Sequence, residues 1–256
     1  MLNKNFISYP MRQYLDLLQM VLTNTIFNEE PSLDGDKGIG YMANFANHYI
    51  NSNAISLMPL ARFRNIEECI LNIAENNIEG DLIETGVWRG GAVIYMKAIL
   101  NILNLADRKI WVADSFEGLP VPNPEKFPLE SKAHPAISRI YNNFEAGLEE
   151  VKSNFMRFNL LDDQILWLKG WFSETLPTAP IDKLSLLRLD GDYYESTMDA
   201  LLNLYDKVSQ GGFIIVDDYG EDSWTNCRKA IDDFRKSRNI ISPLIQVDSA
   251  CVYWKK

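Results

Sequence analysis

Thiols and imidazoles are scarce in this chain. Three cysteines (Cys69, Cys227, Cys251) and two histidines (His48, His134) among 256 residues leave no disulfide framework and no thiolate or imidazole metal cluster. No apolar run approaches the roughly eighteen residues of a membrane span, and the start MLNKNFISYPMRQY lacks the apolar stretch of a signal peptide. Both absences point to a cytoplasmic protein without a membrane span. Positive charge is also in deficit, with 25 Lys and Arg against 35 Asp and Glu and a formal charge of −10. An isoelectric point near 4.8 and no Lys/Arg stripe speak against a nucleic-acid partner. A G-x-S-x-G elbow is missing, so covalent serine catalysis finds no support. So is a phosphate-cradling loop ending in Lys, which counts against phosphate transfer. Neither repeats nor a Pro/Gly/Ser linker divide the chain.

What is present is an ordinary globular mixture, 46% apolar and 23% charged. From about Glu67 onward, short β-like runs alternate with helical patterns, the signature of a parallel sheet flanked by helices. The runs are 81–87, 109–114, 165–169, 184–190 and 213–217, followed by 244–248 and 250–254. The last two are separated by little more than Ser249, so an antiparallel pair is expected there, making seven strands. Met198, Leu201, Leu202, Tyr205 and Val208 predict one helix stripe, stopped by Gly211-Gly212. Another helix is expected from about Arg62, before the first strand. Residues 1–56 hold a predicted helix around Met11–Phe27 and then a polar stretch through Gly40, an accessory layer or lid on a main domain of residues 57–256. The segment Glu117–Ala136 carries Pro120, Pro122, Pro124, Pro128 and Pro135 and reads as a long, mobile loop.

Ligands of such sheets bind at the carboxyl ends of the strands, so the residues ending each run matter most. The first ends in Glu84-Thr-Gly-Val-Trp-Arg-Gly-Gly91, where glycines let backbone approach a ligand or simply build a turn. Asp114 ends the second, placed to accept ribose hydroxyls or to cap a helix. The fourth and fifth runs end in Asp190-Gly-Asp192 and Asp217-Asp218. Four carboxylates at neighbouring strand tips repel unless a cation or protons lie between them, and an all-oxygen set favours Mg²⁺, Mn²⁺ or Ca²⁺. His134 is a candidate base by its ordinary pKa, or a solvated loop residue. Apart from Arg89 and Arg188, no cation is placed near these tips.

Five blocks together are distinctive: Glu84–Gly91, Asp114-Ser-Phe-Glu-Gly-Leu-Pro120, Lys169-Gly-Trp-Phe-Ser-Glu-Thr-Leu-Pro177, Leu189-Asp-Gly-Asp-Tyr-Tyr-Glu-Ser-Thr197 and Val216-Asp-Asp-Tyr-Gly220. In this order, over residues 55–254, they resemble the macrocin O-methyltransferase (TylF-type) family. The resemblance implies the class I methyltransferase (Rossmann-like) α/β fold with a reversed last strand. It also implies S-adenosyl-L-methionine and Mg²⁺ (or Mn²⁺) as cofactors, and a sugar hydroxyl of a glycosylated natural product or glycan as acceptor. It would place the methionine part of the cofactor on Glu84, Thr85, Gly86 and Gly90, with Met58 entering from the N-terminal side. Asp114 and Ser115 would take the ribose, Gly170 and Trp171 the adenine. Asp190, Asp217 and Asp218 would hold the metal, with Asp190 also at the cofactor, and Asp192 would be the general base with His134 as the other candidate. A catechol acceptor and a cofactor-binding module without turnover are the competing readings. The N-terminal helical layer suggests a homo-oligomer.

Overall fold

The computed structural model describes residues 7–27, 52–220 and 225–256. In chain order the elements are α1 (Tyr9–Leu22), α2 (Leu60–Glu75), β1 (Asp81–Thr85), α3 (Gly91–Ile102), β2 (Ile110–Asp114), α4 (Pro128–Tyr141) and α5 (Leu148–Arg157). They continue with β3 (Ile165–Lys169), α6 (Phe172–Thr175), β4 (Leu184–Leu189), α7 (Tyr194–Leu204), β5 (Val208–Val216), α8 (Thr225–Ser237), β6 (Ile245–Gln246) and β7 (Val252–Lys255). One seven-stranded sheet runs β3-β2-β1-β4-β5-β7-β6. Strands β1 to β5 run parallel to one another and β7 is antiparallel to both β5 and β6. This is the class I methyltransferase order with a reversed last strand, as the sequence predicts.

The two-residue period of the strands sorts their side chains onto two apolar layers. Leu82, Leu186, Phe213 and Ile215 face one layer with α1, α2, α3 and α5; Ile83, Leu187, Ile214 and Val216 face the other with α7 and α8. By the same parity Glu84, Arg188 and Asp217 share the first face, two positions beyond apolar residues at the carboxyl edge. Helix α1 is short and its apolar stripe decides its place. Leu15, Leu18 and Leu22 are buried in the first layer, and α1 packs on α3. Its last turn also orders the chain that follows, because the Leu22 carbonyl accepts the amides of Ile55 at 2.7 Å and Ser56 at 2.9 Å.

Two expectations need correction. The stretch Glu117–Ala136 is not one long loop: from Pro128 it is the helix α4. Pro128 fits the first turn, where its missing N–H has no partner to lose, and Pro135 is carried inside the helix. Only residues 117–127 are irregular apart from short turns. Val208 does not extend the α7 stripe but opens β5, and Gly211-Gly212 lie within that strand. Gly211 takes φ +84° beside a register shift between β4 and β5, so the pair bends a strand rather than ending a helix. The polar stretch through Gly40 and His48 lie outside the described residues.

Candidate active site

The loops after β1, β2, β4 and β5 surround a cavity of about 1760 Å³ at the carboxyl edge of the sheet. Gly86 shows how tightly its floor is built. It sits at φ +89°, and a Cβ there would lie 1.8 Å from the Asp190 carbonyl oxygen, so the β1 and β4 tips touch only because residue 86 is glycine. Gly91 serves the other wall: a Cβ would meet the Ser56 Cβ at 2.4 Å, and its amide donates to the Ile55 carbonyl at 3.1 Å. The chain at 55–58 is thereby pressed against the start of α3, with Met58 in the cavity.

Carboxylates reach the tips by one further step of ladder pairing. The Asp190 amide donates to the Thr85 carbonyl and the Asp217 amide to the Leu189 carbonyl, both at 2.9 Å. Because β5 then breaks, Asp217 and Asp218 both turn to the same point: an oxygen from each of Asp190, Asp217 and Asp218 lies within 4.8 Å of the others. Asp192 lines the same cavity. Burial pushes Asp192 well above the ordinary carboxylate range, and the charges of Asp190 and Asp217 push it further. Burial does the same to Asp218, reinforced by Asp192 and Asp190, while Arg62 opposes. The cluster therefore calls for protons or a cation.

Part of that positive charge comes from the protein. Arg188, buried in mid-sheet, binds Glu84 and Asp217, and donates to Asp190 at 2.6 Å and to the Met58 sulfur at 3.0 Å. The second guanidinium is Arg62, which sequence reasoning missed. From α2 it binds Asp217 and holds Asp248 in the β6–β7 turn with Nε at 2.7 Å and Nη2 at 3.2 Å. Arg89, expected near the tips, is instead turned to the Ser52 and Ala54 carbonyls at 3.1 and 2.9 Å and to Glu150. No local motif marks Arg62; only the packing of α2 against the sheet brings it there.

At the other end of the cavity, Asp114 is fixed by backbone. Its Oδ2 accepts the Val87 amide and its Oδ1 the Phe116 amide, each at 2.7 Å. Ser115 bridges to the Gly118 carbonyl at 2.8 Å. Glu84 is 2% exposed, and burial, opposed by Arg188, pushes its carboxyl up to about 8. Its Oε2 is buried without a hydrogen-bond partner, which suits a cationic or N–H ligand.

The sequence candidates Met58, Glu84, Gly86, Asp114 and Ser115 line the cavity, as do Gly170, Trp171, Asp190, Asp192, Asp217 and Asp218. Three others do not. Thr85 turns inward, its hydroxyl 3.3 Å from the Arg188 carbonyl. Gly90 is the left-handed cap of α3, packed under Val151. His134, expected in a loop, lies within α4 with Nδ1 3.0 Å from the Tyr193 hydroxyl.

A family model described as macrocin-O-methyltransferase (TylF) matches residues 46–256. The demethyldecarbamoylnovobiocin O-methyltransferase of Streptomyces niveus is 42% identical over 247 residues, covering 95% of this chain and 93% of that protein. An 8-demethyl-8-(2,3-dimethoxy-alpha-L-rhamnosyl)-tetracenomycin-C 4'-O-methyltransferase of Streptomyces olivaceus is 40% identical over 249 residues, with coverage of 94% and 92%. The solved structure of the O-methyltransferase NovP superposes with a TM-score of 0.84 at 42% identity, covering 96% of this chain and 99% of that one.

Proposed function

The chain belongs to the macrocin O-methyltransferase (TylF) family, and from that membership we propose that it methylates a sugar hydroxyl of a glycosylated natural product, using S-adenosyl-L-methionine and a divalent cation. The observation that carries this reading is the meeting of Asp190, Asp217 and Asp218 beside Asp192, in a cavity that continues to Glu84 and Asp114.

The residues fit both groups. For the cofactor, the unpartnered Glu84 Oε2 suits its ammonium, Asp114 its ribose, and Gly170-Trp171 its base. Bound there, S-adenosyl-L-methionine supplies an electrophilic sulfonium methyl. For the cation, Asp218 Oδ2 is buried without a partner, and Asp190 has an oxygen besides the one held by Arg188. Asp217 gives each oxygen to an arginine but retains lone pairs for sharing. When bound, Mg²⁺ or Mn²⁺ supplies acidity to a sugar hydroxyl whose own pKa lies far above neutrality.

The remaining work falls to side chains. Arg188 and Arg62 hold the acid cluster in register, so the tips need no rearrangement on binding. Asp192 accepts the hydroxyl proton as the oxygen attacks the methyl, its carboxylate lining the cavity beside the metal-competent acids. Residues 117–127 and α4 wall the acceptor side and are assigned to excluding water. The tetracenomycin-type relative acts on a rhamnosyl-bearing substrate, which favours a sugar over a catechol.

The test is methyl transfer to demethyldecarbamoylnovobiocin and related glycosides, with and without EDTA. Transfer that EDTA abolishes and Mg²⁺ restores is expected. Cofactor binding with transfer only to catechols would overturn the sugar acceptor, and an EDTA-insensitive rate would overturn the cation.

A further inference from the structure

Asp192 stands on an unusual piece of backbone. Its φ is +59°, and the Tyr193 amide donates back to the Gly191 carbonyl at 2.6 Å, so Asp192 is the middle residue of a γ-turn with positive φ. Such turns are rare, and their strain persists only where the surroundings over-determine it.

The surroundings here come largely from the chain at α4, which grips the two residues after Asp192. Glu130, 7% exposed, accepts the Tyr194 amide at 2.9 Å and is also bound by the Asn226 side chain. Tyr193, the N-cap of α7, makes no side-chain cap of its own, so Glu130 serves an otherwise orphaned N–H from another helix, where a carboxylate also suits the helix dipole. His134, one turn along α4, meets the hydroxyl of the buried Tyr193 at 3.0 Å. Phe127, just before the helix, stacks on Tyr194 with ring centroids 5.2 Å apart at 28°. Meanwhile Ala133, Ala136 and Ile137 of the same helix line the cavity.

We propose that Glu130 and His134 are positioning residues: by clamping Tyr194 and Tyr193, α4 holds the Asp192 turn in its strained form and aims the carboxylate at the acceptor hydroxyl. The inference rests on the reading of Asp192 as the base. It gives His134 a role through Tyr193 rather than in proton removal, in keeping with its place outside the cavity lining. It also joins acceptor contact to base geometry, since one helix serves both.

Amide hydrogen exchange over residues 190–196 of the full chain tests this without an acceptor. Tyr193→Phe, His134→Ala and Glu130→Ala should each speed exchange there roughly three- to tenfold, the scale of one lost hydrogen bond. Glu130→Gln keeps an acceptor oxygen and His134→Asn keeps a polar partner for the hydroxyl, so both should stay near wild type. Calorimetric binding of S-adenosyl-L-methionine identifies any variant that has failed to fold, and Tyr193→Phe, which removes one atom, keeps the test open in that case. With demethyldecarbamoylnovobiocin as acceptor, kcat should fall in the three disruptive variants while KM for the cofactor stays unchanged. Unchanged exchange in all three disruptive variants overturns the clamp. So does an inactive His134→Asn with wild-type exchange, which would make the imidazole itself the proton acceptor. Failure of the underlying reading looks different: Asp192→Asn would retain full kcat while the exchange pattern persisted.

Discussion

Asp192 and Asp190 are two residues apart, yet the surrounding contacts give them different work. Asp190 is tied to Arg188 and to the metal-competent group, whereas Asp192 stands on its γ-turn beside the cavity. Asp192→Asn should leave cofactor and Mn²⁺ affinity nearly intact in calorimetry while lowering kcat by roughly 10²–10⁴, the range for a lost general base. Equal loss of cation affinity would place Asp192 among the ligands instead. Asp114 is a simpler case. Its carboxylate is pre-positioned by the Val87 and Phe116 amides, as the proposed ribose contact requires. Asp114→Ala should weaken S-adenosyl-L-methionine binding by about 1.5–3 kcal/mol, the scale of charged hydrogen bonds. A titration showing wild-type affinity would remove Asp114 from the site.

Helix α4 borders the site while α1 packs on α3 behind it, and the two differ in how they are held. Helix α1 is anchored by the buried Leu15, Leu18 and Leu22, by the Arg12–Glu67 pair and by the Gln19–Tyr95 contact. Leu18→Ala should cost ~2–5 kcal/mol of unfolding stability in urea, as for other buried leucines. A cost below ~1 kcal/mol would mean that α1 is dispensable to the core. By contrast, α4 buries Ile137 and is held through Glu130, His134 and the ring of Phe127. It should therefore open more readily than α1 in native-state exchange.

Across the whole molecule, the cavity concentrates negative charge in a buried place, and Glu84 reports it. Its folded-state pKa, about 8, lies above that of an unfolded glutamate. The stability from this group is therefore complete below the usual pKa of ~4.3 and is lost as pH rises through the folded value. The urea midpoint of the cofactor-free protein should carry this decline between roughly pH 5 and pH 8, and Glu84→Gln should flatten it. An identical slope in the variant would exclude Glu84 as its source.

Much of this was legible from local pattern. The alternation of short β-like runs with helical patterns and the acids that end the runs predict a parallel sheet, an antiparallel final pair and a carboxylate cluster at one edge, and the family resemblance adds the reversed last strand. Glycines 86 and 91 stand where backbones must touch. These features are local, because a strand's face and end are written in its own few residues. What the tertiary structure alone decided lies in contacts between distant segments. Arg62 meets Asp217 across 155 positions, and Glu130 and His134 reach Tyr194 and Tyr193 across 64 and 59. Five prolines made 117–136 look like a loop, yet Pro128 sits where a helix needs no N–H, and Glu130 and His134 tie the helix to Tyr194 and Tyr193. Arginine on a helix face or histidine in a proline-rich stretch has no period that announces its partner. Only the closing of α2 and α4 onto the sheet edge supplies the charge and the grip that the acid cluster requires.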